Sequence, residues 1–146
     1  MKKTILLLMV VWISSTAFGQ SNGVLGTWAS YDDVSGEKKS LVKIYEKDGK
    51  VYGKIVQLFL SPEDPPDPVC DECDEDDPRY KQKIMGMEII KGLKKDGDEY
   101  NGGTVLDPEN GEVYKCKIWL EDGNLILRGY IGFSLLGRSQ TWKRVN

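Results

Sequence analysis

Val24-Leu25-Gly26-Thr27-Trp28-Ala29-Ser30-Tyr31 is the first stretch of this 146-residue chain that reads as a β-strand. Val, Thr, Trp and Tyr suit a pleated surface with one buried face. The last stretch of the same kind runs over 138–145 and carries Trp142 and Arg144. A fold that sets these two stretches side by side is a closed barrel, and the chain between them supports that reading.

Turn signals punctuate the interval at Asp48-Gly49, Asp96-Gly97, Asn110-Gly111 and Asp122-Gly123. These pairs tolerate the positive φ that tight hairpins need. The segments between them are rich in Val, Ile, Leu, Tyr and Trp, and none shows a long 3.6-residue apolar period. Strands are expected at roughly 24–31, 40–46, 50–59, 84–93, 99–106, 112–120, 125–131 and 138–145. All but one of the connections are short enough for hairpins. The exception, at about 61–80, holds Pro62, Pro65, Pro66, Pro68 and Pro78, and nine carboxylates but no Lys or Arg between Ser61 and Asp77. Prolines and like charges at that density exclude a central strand and read as a solvated acidic loop. The fold class is all-β: an antiparallel up-and-down barrel of about eight strands, which leaves no exposed sheet edge.

Alternate loops of such a barrel lie at the same end. The connections 47–49, 94–98 and 121–124 then share one tight end. Those at 32–39, 60–83, 107–111 and 132–137 share the other, and most are longer. Both chain ends fall at the tight end, which brings Trp28 within stacking distance of Arg144.

The first residues stand apart from this pattern. Met1-Lys2-Lys3 is basic, 4–13 is apolar, and Ala17-Phe18-Gly19 offers small residues where a signal peptidase reads. Residues 1–19 are expected to be a cleaved signal peptide, and 20–146 a single exported domain, periplasmic or extracellular. No transmembrane segment then remains, since a span needs about 20 apolar residues. Without the leader the chain has 18 basic and 23 acidic residues. That balance argues against a nucleic-acid partner, which calls for a basic face.

Gly26-Thr27-Trp28 on a first strand with Arg144 closing a last one resembles the Gly-x-Trp and terminal Arg pairing of lipocalin (calycin) barrels. That resemblance implies an Arg packed over the Trp at a closed base, with Gly26, Trp28, Trp142 and Arg144 as the closure residues. A second resemblance spans nearly the whole domain. It is carried by Gly26-Thr27-Trp28, Val51-Tyr52-Gly53-Lys54-Ile55, the run from Gly103 to Gly111, Arg128-Gly129-Tyr130-Ile131-Gly132, and Gly137-Arg138-Ser139-Gln140-Thr141-Trp142. The chain is similar to a family of small exported bacterial proteins known only as a domain of unknown function. The resemblance implies a lipocalin-like barrel and supplies no catalytic residues.

Histidine is absent from the whole chain. That removes the commonest general base and the commonest metal ligand, and the reading is of a protein that is not an enzyme. Cys70-Asp71-Glu72-Cys73 reads first as a local disulfide, given an exported chain. A redox pair is disfavoured because the surrounding carboxylates oppose a thiolate. Zinc lacks a second ligand pair. Divalent-cation binding by the acidic Cys-x-x-Cys loop is a third functional reading, without the spacing of a calcium loop. Cys116 shares a strand face with Tyr114 and Ile118 and reads as a buried free thiol. Asp107-Pro108-Glu109-Asn110-Gly111 reads as a turn.

The 132–137 loop is unusual in carrying Phe133, Leu135 and Leu136 where polar residues are the rule. Apolar groups on a barrel rim suit a ligand entry or a docking patch. The function expected is retention of a small apolar or amphipathic ligand in the barrel interior. Tyr52, Trp119, Tyr130, Phe133, Leu135, Leu136, Arg138 and Gln140 are the candidate ligand-binding residues. The alternative is a cell-envelope interaction module with a filled core and a protein partner. No cofactor and no metal are expected.

Overall fold

The computed structural model describes residues 23–145; the signal peptide expected over 1–19 lies outside them. Eight strands follow one another: β1 Gly26–Tyr31, β2 Lys38–Lys47, β3 Lys50–Leu58, β4 Glu88–Asp96, β5 Glu99–Leu106, β6 Val113–Glu121, β7 Asn124–Tyr130 and β8 Gly137–Arg144. They close into a barrel in sequence order, each antiparallel to the next, and β8 returns to β1. The connections at 48–49, 97–98 and 122–123 are two residues long and lie at one end. The other four lie at the opposite end, as the alternation of loops requires. Among the described residues no helix is long and apolar enough to cross a membrane.

Most ladders carry five to eight residue pairs, while β3–β4 carries three, interrupted by register shifts. The β1–β8 ladder is thin: only Trp28 pairs with Arg144 and Ala29 with Lys143, followed by the Val145 N–H donating to Thr27 O at 2.9 Å. Side chains reinforce it. The Arg144 guanidinium lies 4.2 Å from the centre of the Trp28 ring. Its two terminal nitrogens donate to Leu25 O at 3.2 Å and Gly23 O at 2.5 Å. The Trp28 indole N–H donates to Val24 O at 2.8 Å, and the ring is wholly buried. Gly26 is required there: its φ is +130°, and a Cβ would sit 2.9 Å from an Arg144 nitrogen. Above this base, Val42, Ile44, Ile90, Leu93, Ile118 and Leu125 are fully buried and fill the tight half of the barrel.

Several strand boundaries differ from expectation: β2 starts earlier, at Lys38, β4 runs on to Asp96, and two strands start later. The first strand starts at Gly26, because Val24 is taken up under the Trp28 indole. The fourth starts at Glu88 rather than 84. Residues 84–87 still run beside β3, with Gly86 N–H donating to Ile55 O at 2.9 Å and Ile55 N–H to Met87 O at 3.0 Å. Gly86 has φ +83°, so the pleat is broken there and the regular ladder begins beyond it.

The acidic segment is a largely exposed loop, as its composition implies, but it is also docked on the barrel. Residues 59–87 fold back on themselves and dock beside the 107–112 turn. Val69 bridges Lys83, and Cys70 N–H donates to Gln82 O at 2.9 Å. Cys70 and Cys73 form the expected disulfide, and both are buried. Glu72 O lies against Gly111, where a Cβ would fall 1.7 Å from it. Arg79 ties the segment to the barrel by donating to Glu88 O at 3.1 Å, while its other nitrogens clasp Asp77 at 2.7 and 2.9 Å. That clasp, led by the Arg79 hydrogen bonds, holds the Asp77 carboxyl at about 2, below its ordinary 3.8. No barrel strand forms across the prolines, as expected, and the carboxylates are mostly turned outward while the cysteines turn in.

Replacing Arg144 with Ala removes two charge-assisted bonds and the cover over Trp28. Chemical denaturation should show a loss of about 1.5–3 kcal/mol, with Arg144→Lys recovering only part. Gly111→Ala combines a left-handed backbone with a clash against Glu72 and should cost on the order of 3 kcal/mol, whereas Gly49→Ala, at a similar φ but in open space, should cost about 1. Asp77 has a depressed pKa, so its clasp stabilises the fold fully above 3.8 and fades as pH falls toward about 2. Melting temperatures of wild type and Asp77→Asn, measured at stepped pH, should differ at neutral pH and converge across that interval.

Candidate functional site

Above the filled half, the barrel interior is open. A cavity of about 570 Å³ lies between the buried base and the long loops. Its placement follows from residue size at inward positions. Trp28 faces in, so Ser30, two residues on, faces in one layer higher. Register sets Ser30 opposite Ser40 on β2, and Gly129 on β7 opposite Arg138 on β8. Small residues in this layer leave space where the layer below has Ile and Leu.

The cavity has two kinds of wall. One runs across the β8–β1–β2 seam and is polar. Ser30 and Ser40 are buried there with their hydroxyl oxygens 2.7 Å apart. Beside them the Trp142 indole N–H donates to Gln140 Oε1 at 3.1 Å, and Gln140 Nε2 donates to Asp33 at 3.1 Å. The rest of the wall is largely apolar, with Ile55, Ile89, Val105, Leu106 and Leu127. Tyr114 stands on it with its hydroxyl accepting from Asn110 at 3.2 Å.

Charges gather at the mouth, in pairs. Lys39 forms an ion pair with Glu109 and lies 3.8 Å from Asp32. Arg138 lies 3.7 Å from Asp33. Asp32 is held below the usual carboxylate range by the backbone N–H of Ser35 and then of Val34. Asp64 is held low likewise by the Ser61 N–H. Both therefore remain ionised at neutral pH.

Of the residues expected to bind ligand, Tyr130, Leu136, Arg138 and Gln140 line this cavity. Tyr52 and Trp119 do not. Val51 and Gly53 face inward, so Tyr52 between them faces out, where it stacks on Tyr45 with ring centres 6.0 Å apart. Ile118 faces inward, so Trp119 also lies on the outer wall, with Lys117 over its ring. Phe133 and Leu135 sit on the rim loop, but they project into solvent at 78% and 89% exposure instead of into the cavity. A one-turn 3₁₀ helix, Ser134–Leu136, turns the loop outward. Trp142 is not part of the base closure. It pairs with Leu125 and stands one layer above Trp28, as cavity wall. Gly26, Trp28 and Arg144 form the closure as expected.

Sequence reasoning missed the serines. Their signal was present in the alternation from Trp28, since Ser30 falls on the same face; Ser40 needs the β1–β2 register, which sequence alone does not supply. The remaining titratable side chains offer little chemistry. Cys116 is a buried free thiol, and burial pushes it up to about 12. Tyr45 is raised to about 12 by burial and by its hydrogen bond to Glu88. Cys70 and Cys73 are joined to each other. Among the described residues no three His, Cys, Asp or Glu side chains converge as a metal site. Asp107 accepts from Glu109 N–H at 3.0 Å, which builds the expected turn.

The fold is similar to that of protein HP1028 from the human pathogen Helicobacter pylori, described as belonging to the lipocalin family. The TM-score is 0.69 at 18% sequence identity, over 84% of this chain and 82% of that one. A likeness at that identity concerns the fold. No curated protein matches the sequence. Residues 26–144, from the closing glycine to the closing arginine, match the family described as "Uncharacterized protein conserved in bacteria (DUF2147)". The chain belongs to that bacterial family, with a lipocalin-like barrel as its fold.

Proposed function

We propose that this protein is an exported binding protein that holds a small apolar or amphipathic molecule in the open half of its barrel and performs no catalysis on it. The observation that carries the reading is the cavity: about 570 Å³ of space with one apolar wall, a few fixed polar groups and a mouth toward solvent. Pockets of this size and make-up bury most of a drug-sized molecule. Transfer of apolar ligand surface out of water supplies the affinity, at about 25 cal/mol per Å². Export is supported by the leader-like pattern of 1–19 and by the Cys70–Cys73 disulfide, which suits an oxidising compartment. Absence of catalysis is supported by the lack of histidine and by the inert state of Cys116.

A second reading has one observation in its favour. Ile131, Phe133, Leu135 and Leu136 form an exposed apolar tip on the rim, and such patches mark contacts with a partner. In that reading the protein is an envelope interaction module. Leu135→Asp with Leu136→Asp would then abolish partner capture from an envelope extract while the purified protein binds no ligand.

Gly129 separates the readings. It lines the cavity, and a Cβ there would meet Tyr114 and Val105 at ordinary contact distances of 3.4–3.7 Å. Gly129→Leu therefore fills space without a backbone clash. Titration with the neutral fluorophore N-phenyl-1-naphthylamine should give saturable enhancement with wild type. The variant should bind at least about tenfold more weakly, with a melting temperature close to wild type. Equal binding by both proteins, or none by wild type, would sink the cavity reading.

A further inference from the structure

We infer, on the reading that the cavity holds a ligand, that the ligand is uncharged: an apolar molecule bearing a hydroxyl or carbonyl oxygen, selected over a carboxylate of the same chain. The argument has three parts, each from a different region of the site.

The first is the interior. Its fixed polar groups are the Ser30 and Ser40 hydroxyls, the Gln140 amide, the Trp142 indole N–H and the Tyr114 hydroxyl, none of them charged. An anionic head brought to this depth loses its hydration and meets no cation, which is costly. A hydroxyl head loses far less. The Ser30–Ser40 hydrogen bond consumes one proton, and each hydroxyl oxygen has two lone pairs. The pair therefore keeps acceptor capacity for an O–H that enters the cavity.

The second is the mouth. Two cations reach the cavity lining, Lys39 and Arg138. Each faces carboxylates of the protein: Lys39 faces Glu109 and Asp32, and Arg138 faces Asp33. Asp33 also takes the Gln140 N–H, so it is anchored where it stands. A ligand carboxylate would have to displace these partners, not join a waiting cation.

The third is the approach. The four wide-end loops, 32–37, 59–87, 107–112 and 131–136, contain fifteen carboxylates against Arg79, Lys81 and Lys83. Arg79 and Lys83 are themselves paired with Asp77 and Asp67. A rim with that excess of negative charge repels an anion over roughly a Debye length, about 8 Å at physiological salt. The route into the cavity thus opposes an anion before it reaches the interior.

The test is displacement of N-phenyl-1-naphthylamine at neutral pH by three molecules with one sixteen-carbon chain: the primary alcohol, the carboxylic acid and its methyl ester. The alcohol and the ester should displace the dye at concentrations at least about tenfold below the acid. Asp33→Asn combined with Glu109→Gln removes the Asp33 partner of Arg138 and leaves Lys39 only its 3.8 Å contact with Asp32, and the acid should then gain about tenfold. Both changes lie at the exposed mouth, and retained dye binding reports that the variant is folded. Wild type displaced equally well by the acid would overturn the inference, as would a double variant in which the acid gains nothing. Dye binding that none of the three competes for also overturns it, while leaving the cavity reading intact. Failure of the dye to bind wild type counts against the cavity reading itself, and the inference falls with it.

Discussion

The barrel depends on one cation resting on one ring. The Arg144 guanidinium over Trp28 joins residues from opposite ends of the chain, and it does so where the strand ladder is thinnest. Two backbone pairs would be a weak closure for an eight-strand cylinder. The guanidinium adds hydrogen bonds to Leu25 and Gly23 outside the ladder, and the indole adds one to Val24. Together these fasten the segment before β1 beneath the base. A planar fork with several donors suits the task because it covers a ring face while its edges reach carbonyls.

With the base closed, residue size decides what stays empty. Eight strands enclose an interior just wide enough to be filled by side chains or to admit one small ligand. Here both outcomes occur in one molecule. Large aliphatic groups fill the tight half, and serine, glycine and a tethered glutamine occupy the layer above. The disulfide-bearing 59–87 segment then builds up one side of the mouth, with Pro65, Pro68 and Ile84 against the cavity. What composition presents as an acidic solubilising loop is also a wall.

The fold was legible because its signals are local. The Asp-Gly and Asn-Gly turns, the β-rich segments and the proline-laden exception are each readable within a few residues, and the parity of the loops follows from them. The Trp28–Arg144 contact then follows from parity. The cavity was less legible because facing depends on register. Tyr52 and Trp119 look like interior aromatics until Gly53 and Ile118 are seen to take the inward positions beside them. The register shifts opposite Ser30/Tyr31 and Leu41/Val42 leave Lys39 and Val56 as extra residues, so the phase of alternation changes partway along β2 and β3, and nothing in the sequence marks them. Phe133 and Leu135 lie on the rim loop that their sequence position implies but point away from the cavity, since the short helical turn there is set by tertiary geometry.

The polar wall of the cavity is the same surface as the seam that joins the two chain ends. Ser30 and Ser40 on one side and Gln140 and Trp142 on the other exist as a unit only while β8 lies against β1. The cheapest local opening of a structure occurs where backbone pairing is sparsest, and here that place is also one wall of the cavity. A bound molecule that spans the two sides would act as a splint across the joint, so cargo and fold would breathe on a common clock.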